Sequence, residues 1–127
     1  MHILVVDDVP VVRMVIAKAL TRAGHCVSEA GDGAEALRAL QRAGADVLVT
    51  DVWMPGQNGI DLIGAARAHF PGLAVVAMSG GNPQSGITDS LLEAEQAGAT
   101  VSVMKPIDKN ELLAAVDEAV RRSGKGV

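Results

Sequence analysis

The chain has 127 residues, 49% hydrophobic and 20% charged, which suits one domain with a true core and excludes a disordered protein. Fifteen acids against eleven bases give a net charge of -4, and Trp53 and Phe70 are the only aromatic residues. Neither a basic surface nor a stacking platform is therefore offered to nucleic acid, and no direct nucleic-acid partner is expected. The single cysteine, Cys26, excludes an intrachain disulfide framework and fits a reducing compartment.

The N-terminal run Met1 to Val6 reaches an acidic pair after six residues. It has no positive leader and is too short for a secretory apolar region. No apolar stretch approaches the roughly 20 residues of a membrane helix. A cytoplasmic protein without a membrane partner is expected.

Short apolar runs alternate with helical spacing. Ile3 to Val6 forms the first run. A helical pattern follows on Val12, Val15, Ile16, Ala19 and Leu20, with Pro10 near its start and Gly24 at its end. Cys26 to Ala30 is the second run, with Cys26 expected to be buried. The second helix carries Ala36, Leu37, Leu40 and Ala43 and stops at Gly44. Val47 to Thr50 is the third run; the third helix extends from about Gly59 through Ile60, Ile63 and Ala66 to Pro71-Gly72. Leu73 to Met78 is followed by a helix from about Thr88 to Ala97, stopped by Gly98. Val101 to Met104 precedes the last helix, on Leu112, Leu113, Val116, Ala119 and Val120. Several runs are continuous, as in strands covered on both faces. Five β-α units imply an α/β fold, a doubly wound parallel sheet with right-handed crossovers. The domain is expected to span 1–122, with a basic, frayed tail at 123–127.

Open α/β sheets bind ligands at the carboxyl ends of their strands. Asp7-Asp8 follow the first strand, Asp51 the third, Ser79-Gly80-Gly81 the fourth and Lys105-Pro106 the fifth. Two carboxylates about 5 Å apart repel by roughly 3 kcal/mol at an effective dielectric near 20. Three such groups need a cation or shared protons. Carboxylate oxygens with open water positions suit Mg²⁺. Metal and lysine together can neutralise phosphoryl oxygens, and a carboxylate can be the nucleophile that forms an acyl phosphate.

Asp7-Asp8, Asp51 in DVWMPGQNGID, Ser79 after LAVVAM and Lys105-Pro106 in VSVMKPID, taken in order, resemble the receiver domain of bacterial response regulators. The resemblance covers essentially the whole chain. It implies a flavodoxin-like (βα)5 sheet of order 2-1-3-4-5. It implies Asp51 as phosphoacceptor, with Asp8 and Asp51 binding Mg²⁺ directly and Asp7 through water. The backbone carbonyl of Trp53 would add an oxygen, Ser79 would hydrogen-bond the phosphoryl group, and Lys105 would pair with it. Gly80 would keep the approach open, and Met54-Pro55-Gly56 with Gly59 would shape the loop after Asp51. A cis peptide is a candidate at Lys105-Pro106. The implied partners are a sensor histidine kinase or phosphotransfer protein and a downstream protein meeting helix four, strand five and helix five.

Two departures stand out. The family's usual aromatic residue, three positions before the lysine, is Ser102 here. The stretch from Ser79 to Lys105 is longer than the common spacing, and Gly80 to Gly86 reads as a mobile loop. Gly31-x-Gly33-x-x-Ala36 imitates a dinucleotide fingerprint but leaves Asp7-Asp8, Ser79 and Lys105 without roles; a tight turn into helix two accounts for it. His2, His25 and His69 lack metal-ligand spacing. Trp53 is read as exposed beside Asp51. The expected function is a stand-alone receiver whose output is a protein contact or phosphate relay, not an enzyme acting on other substrates. The alternative is a receiver-like binding module that works without phosphorylation.

Overall fold

Strand runs rich in Val, Ile and Leu pair in parallel because their connections are long enough to hold helices. A computed structural model describes residues 1–54, 57–79, 86–105 and 108–123, with backbone alone at 53–54, 57–58 and 86–91. Five strands, β1 (His2–Val6), β2 (Cys26–Ala30), β3 (Val47–Asp51), β4 (Ala74–Ser79) and β5 (Val101–Met104), form one parallel sheet of order 2-1-3-4-5. The helices are α1 (Pro10–Arg22), α2 (Gly33–Ala43), α3 (Gly59–His69), α4 (Gly86–Ala97) and α5 (Lys109–Arg122). A short antiparallel pair, Trp53–Met54 with Gln57–Asn58, follows β3. The doubly wound flavodoxin-like fold is the one expected.

Side-chain alternation divides the core. Ile3, Val5, Val47, Val49 and Val76 pack under α1 and α5. Leu4, Val6, Leu48, Val75 and Ala77 pack under α2, α3 and α4. β3 and β4 are buried throughout, as central parallel strands must be.

Helix starts follow local chemistry. Asp32 caps α2 by accepting from the Glu35 amide at 2.7 Å, and Glu35 accepts from the Gly31 amide at 3.1 Å. Gly31 and Gly33 therefore frame the capped start of α2, not a nucleotide cradle. Asp108 caps α5 in the same way, accepting from the Glu111 amide at 2.7 Å.

Four expectations shift. Val15 does not face the core: it is 60% exposed, and Ile16, Ala17 and Leu20 are the buried residues of α1. Val11, Met14 and Val15 instead make an exposed apolar ridge. Cys26 is exposed because it begins the edge strand β2. β4 starts at Ala74, with Leu73 buried just before it, and runs through Ser79. α4 starts at Gly86, two residues earlier than the pattern suggested. The expectations for Gly80, for Pro55-Gly56, for the rest of the loop through Ser85 and for the Pro106 peptide lie outside the described residues, as do the Trp53 side chain and 124–127.

Gly59 opens α3 against the strand that carries Asp51. Its amide donates to the Val52 carbonyl at 2.9 Å. A Cβ there would meet the Asp51 carbonyl, and would stand 2.7 Å from the Val52 carbonyl oxygen and 2.8 Å from the Val52 Cα. Backbone cannot yield to that approach without moving Asp51. Gly59→Ala is expected to destabilise by about 3 kcal/mol and to lower the thermal midpoint by roughly 10 °C. An unchanged midpoint would refute this packing.

Candidate functional site

Alternation carries three side chains to one place. Asp7 continues the row of Ile3 and Val5, Asp51 that of Val47 and Val49, and Lys105 that of Val101 and Val103. These rows lie on the α1/α5 face of neighbouring or nearly neighbouring strands, at their carboxyl ends. The Lys105 Nζ donates to Asp7 Oδ2 at 2.9 Å and to Asp51 Oδ2 at 3.0 Å. Asp8, half-buried, completes a group whose carboxylate oxygens, one from each of Asp7, Asp8 and Asp51, lie within 4.8 Å of one another.

Burial sets the energetics. Asp7 is fully buried and Asp51 is 6% exposed, so Asp7 is no solvated helix start. Isolated carboxylates so placed lose several kcal/mol of hydration. Asp7 recovers part of it by accepting from the Val9 amide at 2.9 Å and from Lys105. The backbone locks the arrangement, with the Val52 amide donating to the Met78 carbonyl and the Lys105 amide to the Ser79 carbonyl, both at 2.8 Å.

Ser79 is fully buried at the end of β4, next to β3. Its position in the strand puts it in the row of Val75 and Ala77, the opposite row from Asp51. The structure thus brings Asp7, Asp8, Asp51 and Lys105 together and sets Ser79 at the neighbouring strand end. Trp53 follows Asp51 by two residues in the short antiparallel pair. Gly80 lies outside the described residues. Ser102 sits beside Ala77 in register, and its Oγ is buried without a hydrogen-bond partner among the described residues.

Arg13 is a contact the sequence did not reveal. Its Nη1 donates to the Asp7 carbonyl at 2.8 Å. The only signal was a cation in the first turns of the helix that follows the acidic pair.

The donor set suits a hard divalent cation. Three carboxylates converge, one still half exposed, and all offer oxygen. The lysine supplies one positive charge against three negative ones, leaving net negative charge for a cation to offset.

Burial works against the Lys105 ammonium, but the hydrogen bonds and charges of Asp7 and Asp51 outweigh it and hold its pKa above the ordinary 10.5. A pKa raised on folding adds stability that is full below the unfolded value and is lost as pH rises through the folded one. Urea unfolding is therefore expected to show an alkaline loss of stability beginning above about pH 10. Lys105→Met is expected to cost about 2 kcal/mol at neutral pH and to remove that alkaline component. Parallel pH profiles for the two proteins would contradict the ion cluster.

A family model for the response regulator receiver domain matches residues 3–117. Chemotaxis protein CheY of Pseudomonas aeruginosa is 38% identical over 128 residues, covering 96% of this chain and 98% of that protein. The DNA-binding transcriptional regulator NtrC of Azospirillum brasilense is 35% identical over 118 residues, covering 93% of this chain but 24% of that protein. The chain spans about a quarter to a half of the length of several curated relatives that it matches. Among solved structures, a receiver domain protein from Clostridium thermocellum superimposes with a TM-score of 0.86 at 27% identity, covering 99% of this chain and 98% of that one. The fold, the acidic cup with its lysine and the family match lead to one conclusion: the chain belongs to the response regulator receiver domains of two-component systems.

Proposed function

We propose that this receiver accepts a phosphoryl group on Asp51 from a phosphohistidine donor and thereby switches a protein contact surface or relays the phosphate. Receiver domains are generally non-enzymatic signalling modules that interact with histidine kinases or phosphotransfer proteins and bind Mg²⁺ at an acidic pocket. The observation that carries the proposal for this chain is the Lys105 ammonium, bonded at once to Asp7 and Asp51 beside Asp8.

In the proposed transfer an Asp51 carboxylate oxygen attacks phosphorus. The new O–P bond forms as the donor's N–P bond breaks, and the imidazole leaves with the bonding electron pair and takes up a proton. Lys105 then bonds a phosphoryl oxygen in exchange for part of its hold on Asp51, and the Ser79 hydroxyl supplies a second donor. Asp8 and Asp51 would hold Mg²⁺ directly, Asp7 through water, and the Trp53 carbonyl would add an oxygen. Bound there, the ion offsets negative charge on the phosphoryl oxygens. Gly80 would keep the approach clear.

Drawing Ser79 and Lys105 toward a phosphoryl group alters the ends of β4 and β5, and with them the surface of α4, β5 and α5. On that surface Leu92 and Met104 are 54% and 57% exposed, apolar side chains available to a partner. Chemotaxis protein CheY, matched over 98% of its length, supports a single-domain mode of action, with the receiver unit spanning 1–122. No helix among the described residues is long and apolar enough to cross a membrane.

Incubation with labelled acetyl phosphate and Mg²⁺ is expected to give one phosphoryl group per chain, hydrolysed at alkaline pH as an acyl phosphate is. Asp51→Asn should abolish it and Lys105→Ala should slow it by about a hundredfold. Equal labelling of Asp51→Asn would overturn the assignment. No labelling of the wild-type protein would favour the phosphorylation-independent module that Ser102, in place of an aromatic residue, keeps in view.

A further inference from the structure

The peptide group joining Asp7 to Asp8 is held by a side chain outside the cup. Arg13 Nη1 donates to the Asp7 carbonyl at 2.8 Å, and Arg13 Nε donates to Glu29 Oε1 at 3.3 Å. The Arg13 side chain is 21% exposed and that of Glu29 45%. Gly31 closes the slot: a Cβ there would stand 3.2 Å from Arg13 Nη1. The Asp7 amide donates to the Ala30 carbonyl at 3.3 Å. With its carboxylate bonded by Val9 and Lys105, every polar group of Asp7 is engaged.

A peptide unit is planar, so fixing its oxygen fixes the direction in which the next Cα leaves it. The Asp8 carboxylate lies in the cup with those of Asp7 and Asp51, and its aim follows from the Asp7 carbonyl. We propose that Arg13 is a positioning residue for Asp8: braced by Glu29, it holds the Asp7 carbonyl so that the Asp8 carboxylate faces Asp51 at cation-binding distance. This rests on the reading of the cup as a Mg²⁺-dependent phosphoacceptor site.

Charge and position make opposite predictions for this residue. A guanidinium beside the cup repels an arriving cation, so its removal should tighten Mg²⁺ binding if charge alone matters. Its removal should loosen binding if it holds a ligand in place.

Calorimetric titration with Mg²⁺ decides, with thermal midpoints measured alongside. Arg13→Gln is expected to weaken binding by about tenfold. Arg13→Lys, which keeps a donor for the Asp7 carbonyl, should recover most of that loss. Glu29→Gln should weaken binding by about twofold to threefold, and adding it to Arg13→Gln should change nothing further, because Glu29 acts through Arg13. Arg13→Gln binding Mg²⁺ as tightly as the wild-type protein, or more tightly, overturns the proposal. So does an Arg13→Lys variant that fails to recover, or additive losses in the double variant. Should Arg13→Gln not fold, an unchanged affinity in Glu29→Gln overturns it instead. A wild-type protein with no Mg²⁺ binding overturns the phosphoacceptor reading itself, and is thereby distinguished from failure of the Arg13 role alone.

Discussion

One ammonium between two buried carboxylates is the constraint on which the site depends. Lys105 is 98 positions from Asp7 and 54 from Asp51 along the chain, yet bonds both. Bringing Asp7 and Asp51 together without a cation would leave two desolvated negative charges facing each other. The lysine makes the cup tolerable by bonding both acids at once. It does not neutralise the cup, because Asp8 adds a third negative charge. The residual negative field attracts a cation to this edge.

The sheet supplies the geometry. Parallel strands end on the same edge, and period-two alternation sends Asp7, Asp51 and Lys105 to the same face. Their distance in sequence is then irrelevant, since each follows an apolar row on the same face of the sheet. Short backbone bonds from Val52 to Met78 and from Lys105 to Ser79 tie adjacent strand ends together. Gly59, pressed against Asp51 and Val52, keeps the following helix from pushing the acid out of place.

Much of this was legible in the sequence. Continuous apolar runs announced buried parallel strands, and charged residues at their ends announced the cup. Helix facing was less legible where a helix is apolar nearly all round. In α1 the positions Val11, Met14 and Val15 compete with Ile16, Ala17 and Leu20, and only packing against the sheet chooses between them. Cys26 looked buried because its run is apolar, but an edge strand is covered less at its ends. Arg13 was not legible as part of the site, because its contact is with a carbonyl, which carries no sequence signature.

Ser102 marks where this receiver departs from its family's pattern. A small buried hydroxyl without a partner among the described residues lies beside Ala77 in register. Under the proposed function, switching at β5 would work through hydrogen bonds and the placement of Lys105, not through the swing of an aromatic side chain. A high-resolution crystal structure of the protein grown with Mg²⁺ is the decisive test of the ammonium shared by Asp7 and Asp51. Lys105 Nζ is expected within hydrogen-bond distance of the Asp7 carboxylate, with an ion between Asp8 and Asp51. A Lys105 side chain turned to solvent, or an ion bound away from those acids, would contradict it.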